Sequence, residues 1–237
     1  MKNLFLTLAL LLTASFTFAQ SWWGGGTRGE GAIVERTIDL DRFDGFALTI
    51  SGNVYVEKGS TQKVVVKGQE NLIDLLNTDV NDGFWKIKFT ESVSNMKKFD
   101  VYITVANLEE VYVSGSGDVY SKGTFSGNNM EVGVSGSGNI EMDVDAGALD
   151  VKVSGSGNIE LAGNARAVEM RISGSGDIDA GRLKAKNCEA KVTGSGDIRI
   201  HASEELNASI VGSGDIYYDG DPKVRSRVTG SGDVRSN

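Results

Sequence analysis

Val153-Ser154-Gly155-Ser156-Gly157-Asn158-Ile159 is the stretch against which the rest of the chain can be aligned. Val151-Lys152-Val153 leads into it and Ile159-Glu160-Leu161 leads out, with apolar residues at every second position, the pattern of a half-buried strand. The same corner appears earlier as Ser114-Gly115-Ser116-Gly117-Asp118-Val119 and Ser135-Gly136-Ser137-Gly138-Asn139-Ile140. It returns later as Ser173-Gly174-Ser175-Gly176-Asp177-Ile178, Thr193-Gly194-Ser195-Gly196-Asp197-Ile198, Val211-Gly212-Ser213-Gly214-Asp215-Ile216 and Thr229-Gly230-Ser231-Gly232-Asp233-Val234. Counted from second glycine to second glycine, the steps are 21, 19, 19, 20, 18 and 18 residues. Self-similarity at a fixed short period is the signature of a repeat architecture.

Each repeat has a local explanation. Glycines permit the backbone angles that a tight corner demands, and the Asp or Asn that follows can fold onto nearby backbone N–H groups. A looser second turn is expected about half a repeat later, as at Asp145-Ala146-Gly147 and Ala162-Gly163-Asn164. One corner per 18–21 residues, always with the same inward and outward faces, predicts coils stacked by translation about 4.8 Å apart. No Phe, Trp or Tyr occurs between residues 126 and 216, so the shared interior must be narrow and aliphatic. The fold class expected is all-β, a parallel, right-handed β-helix or solenoid. The competing architecture is an antiparallel barrel or prism of hairpins, in which glycine turns also serve.

Residues 32–112 differ in texture and carry most of the aromatics. Strands are expected at 32–40, 46–57, 63–67, 84–90 and 100–105, with one helical turn over Asn71–Leu76 and a degenerate corner at Ile50-Ser51-Gly52-Asn53-Val54. This third is expected to form irregular N-terminal coils that cap the regular repeats of 113–237, the two making one continuous domain over 32–237. Ahead of it, Lys2, the apolar run Leu4–Leu12 and Thr17-Phe18-Ala19 have the layout of a signal peptide over 1–19. Residues 20–31, with Trp22-Trp23 before Gly24-Gly25-Gly26, are expected to be a flexible linker. Export to the periplasm, outer surface or medium follows, and no later stretch is long and apolar enough for a transmembrane segment.

Removing Lys2 leaves 23 basic against 32 acidic residues, a net charge of −9, which argues against nucleic acid as a partner. Cys188 is the single cysteine, so no internal disulfide can form, and it is expected in the interior as a small apolar residue.

The order Phe46 and its strand, Asn53-Val54-Tyr55-Val56, Val64-Val65-Val66-Lys67-Gly68, Glu70-Asn71-Leu72-Ile73, Trp85-Lys86-Ile87-Lys88, Val101-Tyr102-Ile103-Thr104-Val105, then the Gly-Ser-Gly-Asp/Asn ladder, carries a resemblance. Over roughly residues 38–234 the chain resembles the putative auto-transporter adhesin, head GIN domain family of secreted Bacteroidetes proteins. The resemblance implies a parallel β-helix and brings no catalytic residues with it.

Chemistry was sought in three places. In stacked coils, Asp118, Asn139, Asn158, Asp177, Asp197, Asp215 and Asp233 form one column, and the carboxylates of Asp177, Asp197, Asp215 and Asp233 would repel at that spacing. A calcium ladder on those four would relieve the repulsion, but corner N–H donors can do so without metal, and no metal or other cofactor is expected. His201 has no Ser or Cys partner, and seven equivalent corner serines cannot all be one activated nucleophile. Arg171, Lys184, Lys186 and Lys191 could supply a base in an outer groove, as in polysaccharide lyases on the same fold, although a solvated strand face accounts for them equally well. The function expected is a non-catalytic, adhesin-like cell-envelope module that recognises a surface glycan or protein. Its alternative is a carbohydrate-active enzyme, a lyase or hydrolase, using an outer groove. An exposed edge coil is also expected to allow a homodimer.

Overall fold

The computed structural model describes residues 26–237; the expected signal peptide and Trp22-Trp23 lie outside the described residues. From Val119 onward the chain is a stack of coils. The strands Val119–Gly136, Ile140–Gly155, Ile159–Gly174, Ile178–Gly194 and Ile198–Gly212 each run nearly a full coil between one corner and the next. Each pairs in parallel with the coil before and after it, and Lys223–Gly230 and Val234–Ser236 follow in the same sense. Parallel pairing throughout this part excludes the hairpin barrel. The looser second turn does not interrupt the ladder: Asp145 and Ala146 still pair with Asn164 and Ala165 inside continuous strands.

The corner stacks because its glycines leave room for it. Gly136 O accepts hydrogen bonds from Ser156 N and Gly157 N of the next coil at 2.9 and 3.0 Å, and the same pattern recurs one coil later with Gly155 O, Ser175 N and Gly176 N. A Cβ on Gly157 would fall deep inside contact distance of Gly138 O. Gly155 has φ +129° and its column mates from Gly136 to Gly230 lie between +128° and +144°, a region that side chains disfavour. One glycine of each pair therefore serves dihedral freedom, the other close approach.

Differences in coil length are absorbed away from the corner. Between the strands starting at Ile140 and Ile159 the offset is 19 residues throughout, with no irregularity. The longer coil from Ile178 is matched by a bulge between Glu160 and Ala162, and the shorter one from Ile198 by bulges after Ala180 and Ala185. The corner thus keeps its register while the second bend varies.

Inside, columns of aliphatic residues run through the stack. Ile140, Ile159, Ile178, Ile198 and Ile216 are all buried in one such column, and Val151, Met170, Ala190 and Ala208 in another. Each fully buried Ile or Val contributes about 1.5–3 kcal/mol, and no single coil could bury its own face. Cys188 takes its place between Val168 and Leu206, and burial pushes its thiol up to about 12, so it stays protonated at neutral pH.

The N-terminal part is threaded differently. Gly45–Leu48, the corner at Ile50-Ser51-Gly52 and Asn53–Lys58 form a coil directly beneath Glu110–Val113 and the first part of Val119–Gly136. The later segments Phe84–Ile87 and Phe99–Val105 stack on the far side of that coil, so the second coil in sequence lies outside the first in space. Lys63–Gln69 then adds antiparallel to Phe99–Val105, and Ile33–Ile38 antiparallel to Lys63–Gln69. The expected helical turn is Glu70–Ile73. Trp85, Phe46 and Phe99 fill this end, where the coils are wider and need larger side chains. Of the stretch read as a linker, residues 26–31 are described, and Thr27–Arg28 pairs in parallel with Val93–Ser94.

Candidate binding faces

The Asp/Asn column is a hydrogen-bonded ladder. Asn139 donates its backbone N–H and Nδ2 to Asp118 Oδ1, at 2.9 and 2.8 Å, and Asn158 does the same to Asn139 Oδ1 at 3.1 Å. The backbone N–H of Asp177 then donates to Asn158 Oδ1 at 3.0 Å. Those of Asp197, Asp215 and Asp233 each donate to the carboxylate one coil back at 2.7–2.8 Å. One oxygen of each inner side chain is thereby held by the neighbouring coil, the charge-assisted bond that a close carboxylate row requires. Asp215 also accepts from Tyr217 Oη at 3.0 Å and from Arg235 at 2.6 Å. Its modest burial works against ionisation, but the Asp233 N–H, the Tyr217 hydroxyl and Arg235 outweigh that and hold its carboxyl below the usual aspartate range. Among the described residues, no group of three or more His, Cys, Asp or Glu is placed to hold a metal ion.

Two residues beyond the column stands an outward row. Register places Tyr102, Tyr55, Tyr120, Glu141, Glu160, Asp179, Arg199, Tyr217 and Arg235 on successive strands. Tyr55 stacks on Tyr102 with ring centroids 5.1 Å apart and on Tyr120 at 5.6 Å. At the other end Arg235 lies 4.8 Å over the Tyr217 ring. The tyrosines were not singled out in the sequence, although the signal was there: each follows an Asp or Asn by two, in Asn53-Val54-Tyr55, Asp100-Val101-Tyr102, Asp118-Val119-Tyr120 and Asp215-Ile216-Tyr217.

The opposite wall carries a charge zipper. Glu131, Asp150, Glu169 and Glu189 form an acidic row, and Lys152, Arg171 and Lys191 a basic row two residues on. Lys152 pairs with Asp150 at 2.9 Å, Arg171 bridges Asp150 and Glu169, and Lys191 bridges Glu169 and Glu189. Tyr112 Oη donates to Glu131 at 2.5 Å; burial first, then that bond, raises its phenol well above the ordinary value. Beside the acidic row the small residues Ala148 and Ala167 leave a groove of about 520 Å³, ended by Asn129 and by Asn187 and Asn207.

The basic residues weighed as an enzymatic base are not brought together. Arg171 and Lys191 are neighbours within the zipper, whereas Lys184 pairs in register with Asn164 and His201 on a different bend, and Lys186 meets Glu204 at 3.4 Å.

A protein-family profile, putative auto-transporter adhesin, head GIN domain, matches residues 42–222. The chain belongs to this family. Solved structures agree with the head GIN fold over nearly their whole length. A protein described as a putative adhesin from Bacteroides fragilis NCTC 9343 aligns with TM-score 0.84 and 26% identity, covering 89% of this chain and 99% of that one. One described as a putative lipid binding protein, from Parabacteroides distasonis ATCC 8503, gives TM-score 0.74 and 27% identity over 89% and 98%. A further putative adhesin, from Parabacteroides merdae ATCC 43184, gives 0.72 and 26% over 89% and 98%. No curated protein matches at a significant level.

Proposed function

We propose that this head GIN chain is an exported, non-catalytic binding module that recognises a cell-surface glycan or protein. The observation that carries the reading is periodicity of the outward face: the Asp/Asn ladder, the row beside it and the charge zipper each repeat their chemistry coil after coil. A surface of that kind offers many equivalent weak contacts and suits an extended, repetitive ligand. Multiple weak contacts gain strength through effective concentration. Membership of an adhesin family and similarity to two structures described as adhesins support it.

The test applies one purified sample to immobilised glycans, immobilised envelope proteins and lipid vesicles, and in parallel incubates it with soluble polysaccharides. Retention on glycan or protein with no shortening of the polysaccharides is expected. Release of oligosaccharides would replace this reading with an enzymatic one. Exclusive retention on vesicles would align the chain with the protein described as lipid binding. A second copy of the chain belongs to the same proposal: Lys223–Gly230 and Val234–Ser236 pair on one side only among the described residues, which leaves edges able to recruit another strand. Light scattering is expected to show mass rising with concentration; a constant monomer mass removes that part.

A further inference from the structure

The three stacked tyrosines end in a free ring face with a pocket against it. Tyr102, Tyr55 and Tyr120 come from three separate segments and are 39, 36 and 37% exposed, unusual for aromatic rings on a well-packed sheet. Within the stack each ring covers its neighbour, so the faces of Tyr55 are occupied. Beyond Tyr102 the next strand places Val65 opposite it, and no further ring follows. A depression of about 320 Å³ lies there, bounded by Tyr102, Val65, Thr104, Lys63 and Glu35. Glu35 is held by Lys67 at 2.7 Å, while Lys63 forms no ion pair among the described residues.

The depression has an aromatic wall, an aliphatic floor, and a rim of one carboxylate, one ammonium and one hydroxyl. A pyranose matches that combination. Its C–H face meets the electron-rich face of a tyrosine ring, and its hydroxyls need both donors and acceptors around the edge. A peptide added as a strand does not fit here, because Lys63–Gln69 is already paired on both sides, with Ile33–Ile38 and Phe99–Val105. The opposite charges of Glu35 and Lys63 balance, which favours a neutral sugar over an acidic one.

We propose that this pocket is a subsite for one neutral pyranose residue, stacked on Tyr102 and hydrogen-bonded by Glu35, Lys63 and Thr104. The proposal rests on the glycan branch of the function above and specifies where on the molecule that branch acts.

The experiment uses an array of neutral hexose, N-acetylhexosamine and uronic-acid oligosaccharides, followed by titration of the best neutral hit. Tyr102→Ala is expected to weaken binding at least tenfold and Tyr102→Phe less than about twofold. Tyr217→Ala, at the far end of the same row, is expected to leave it unchanged. Val65→Glu, which fills the floor from another strand and leaves the ring in place, is expected to abolish binding and guards against an unfolded Tyr102→Ala. Should the wild type bind a neutral glycan that Tyr102→Ala and Val65→Glu bind equally well, the subsite is overturned while the glycan reading stands. Binding confined to uronic-acid oligosaccharides overturns the subsite as well. No glycan binding at all removes both.

Discussion

Gly157 and Gly31 ask for glycine for different reasons, and the difference is measurable. A methyl group on Gly157 would collide with backbone, Gly138 O, which no side-chain rearrangement can relieve. Gly157→Ala is therefore expected to cost about 3 kcal/mol or more, seen as a lowered urea midpoint. Gly31 has φ +81° but open space around it, so Gly31→Ala is expected to cost only about 1–2 kcal/mol, the strain alone. Asp215 yields a prediction in pH. Its carboxyl is depressed in the folded state, so the stability it contributes is present above the ordinary aspartate range and is lost as pH falls through the depressed value. Asp215→Asn is expected to melt below wild type at pH 7 and level with it once acid has protonated the aspartate. A gap that persists or widens at low pH would contradict this assignment.

At the scale of a coil, the corner ladder and the parallel pairing were legible in the sequence because both are encoded once per period. Ile140, Ile159, Ile178 and Ile198 each occupy the same place in their repeat, so one reading served for all. The bends at Asp145-Ala146-Gly147 and Ala162-Gly163-Asn164 looked like turns yet stay in the ladder, because a neighbouring coil bends with them and keeps their N–H and C=O groups paired. The spatial order of the first coils was not legible. That Phe84–Ile87 lies outside Gly45–Leu48 depends on pairings between distant segments that share no repeated motif. The Tyr102–Tyr55–Tyr120 stack escaped for the same reason, since the stack's order is not the chain's order. The constant offset of 19 residues between the strands starting at Ile140 and Ile159 makes the coil a removable unit. Deleting residues 158–176 joins Gly157 to Asp177 and preserves every column. Such a chain is expected to fold with near-native circular dichroism and a modestly lower melting temperature, whereas deleting residues 158–167 is expected to prevent folding by throwing the columns out of register.

For the whole molecule, stability is spread along one axis, each coil resting on its two neighbours. Hydrogen exchange is expected to be slowest in the central coils around Met170 and Ala190 and fastest in Lys223–Gly230; uniform protection would argue against this picture. The two ends are not equivalent, however. A chain shortened to residues 26–216 loses only its outermost coil and is expected to stay folded, while one beginning at residue 59 lacks the strands Gly45–Leu48 and Asn53–Lys58 that separate the cap from the repeats and is expected to collapse. The inverted threading of that first coil also carries a consequence for biogenesis. Gly45–Leu48 touches Phe84–Ile87 on one side and Glu110–Val113 on the other, so a polypeptide emerging from a ribosome or a translocon amino end first gains nothing from its leading segment until some seventy further residues have appeared. The earliest-made part must wait, still open to chaperones, for later-made partners to close around it.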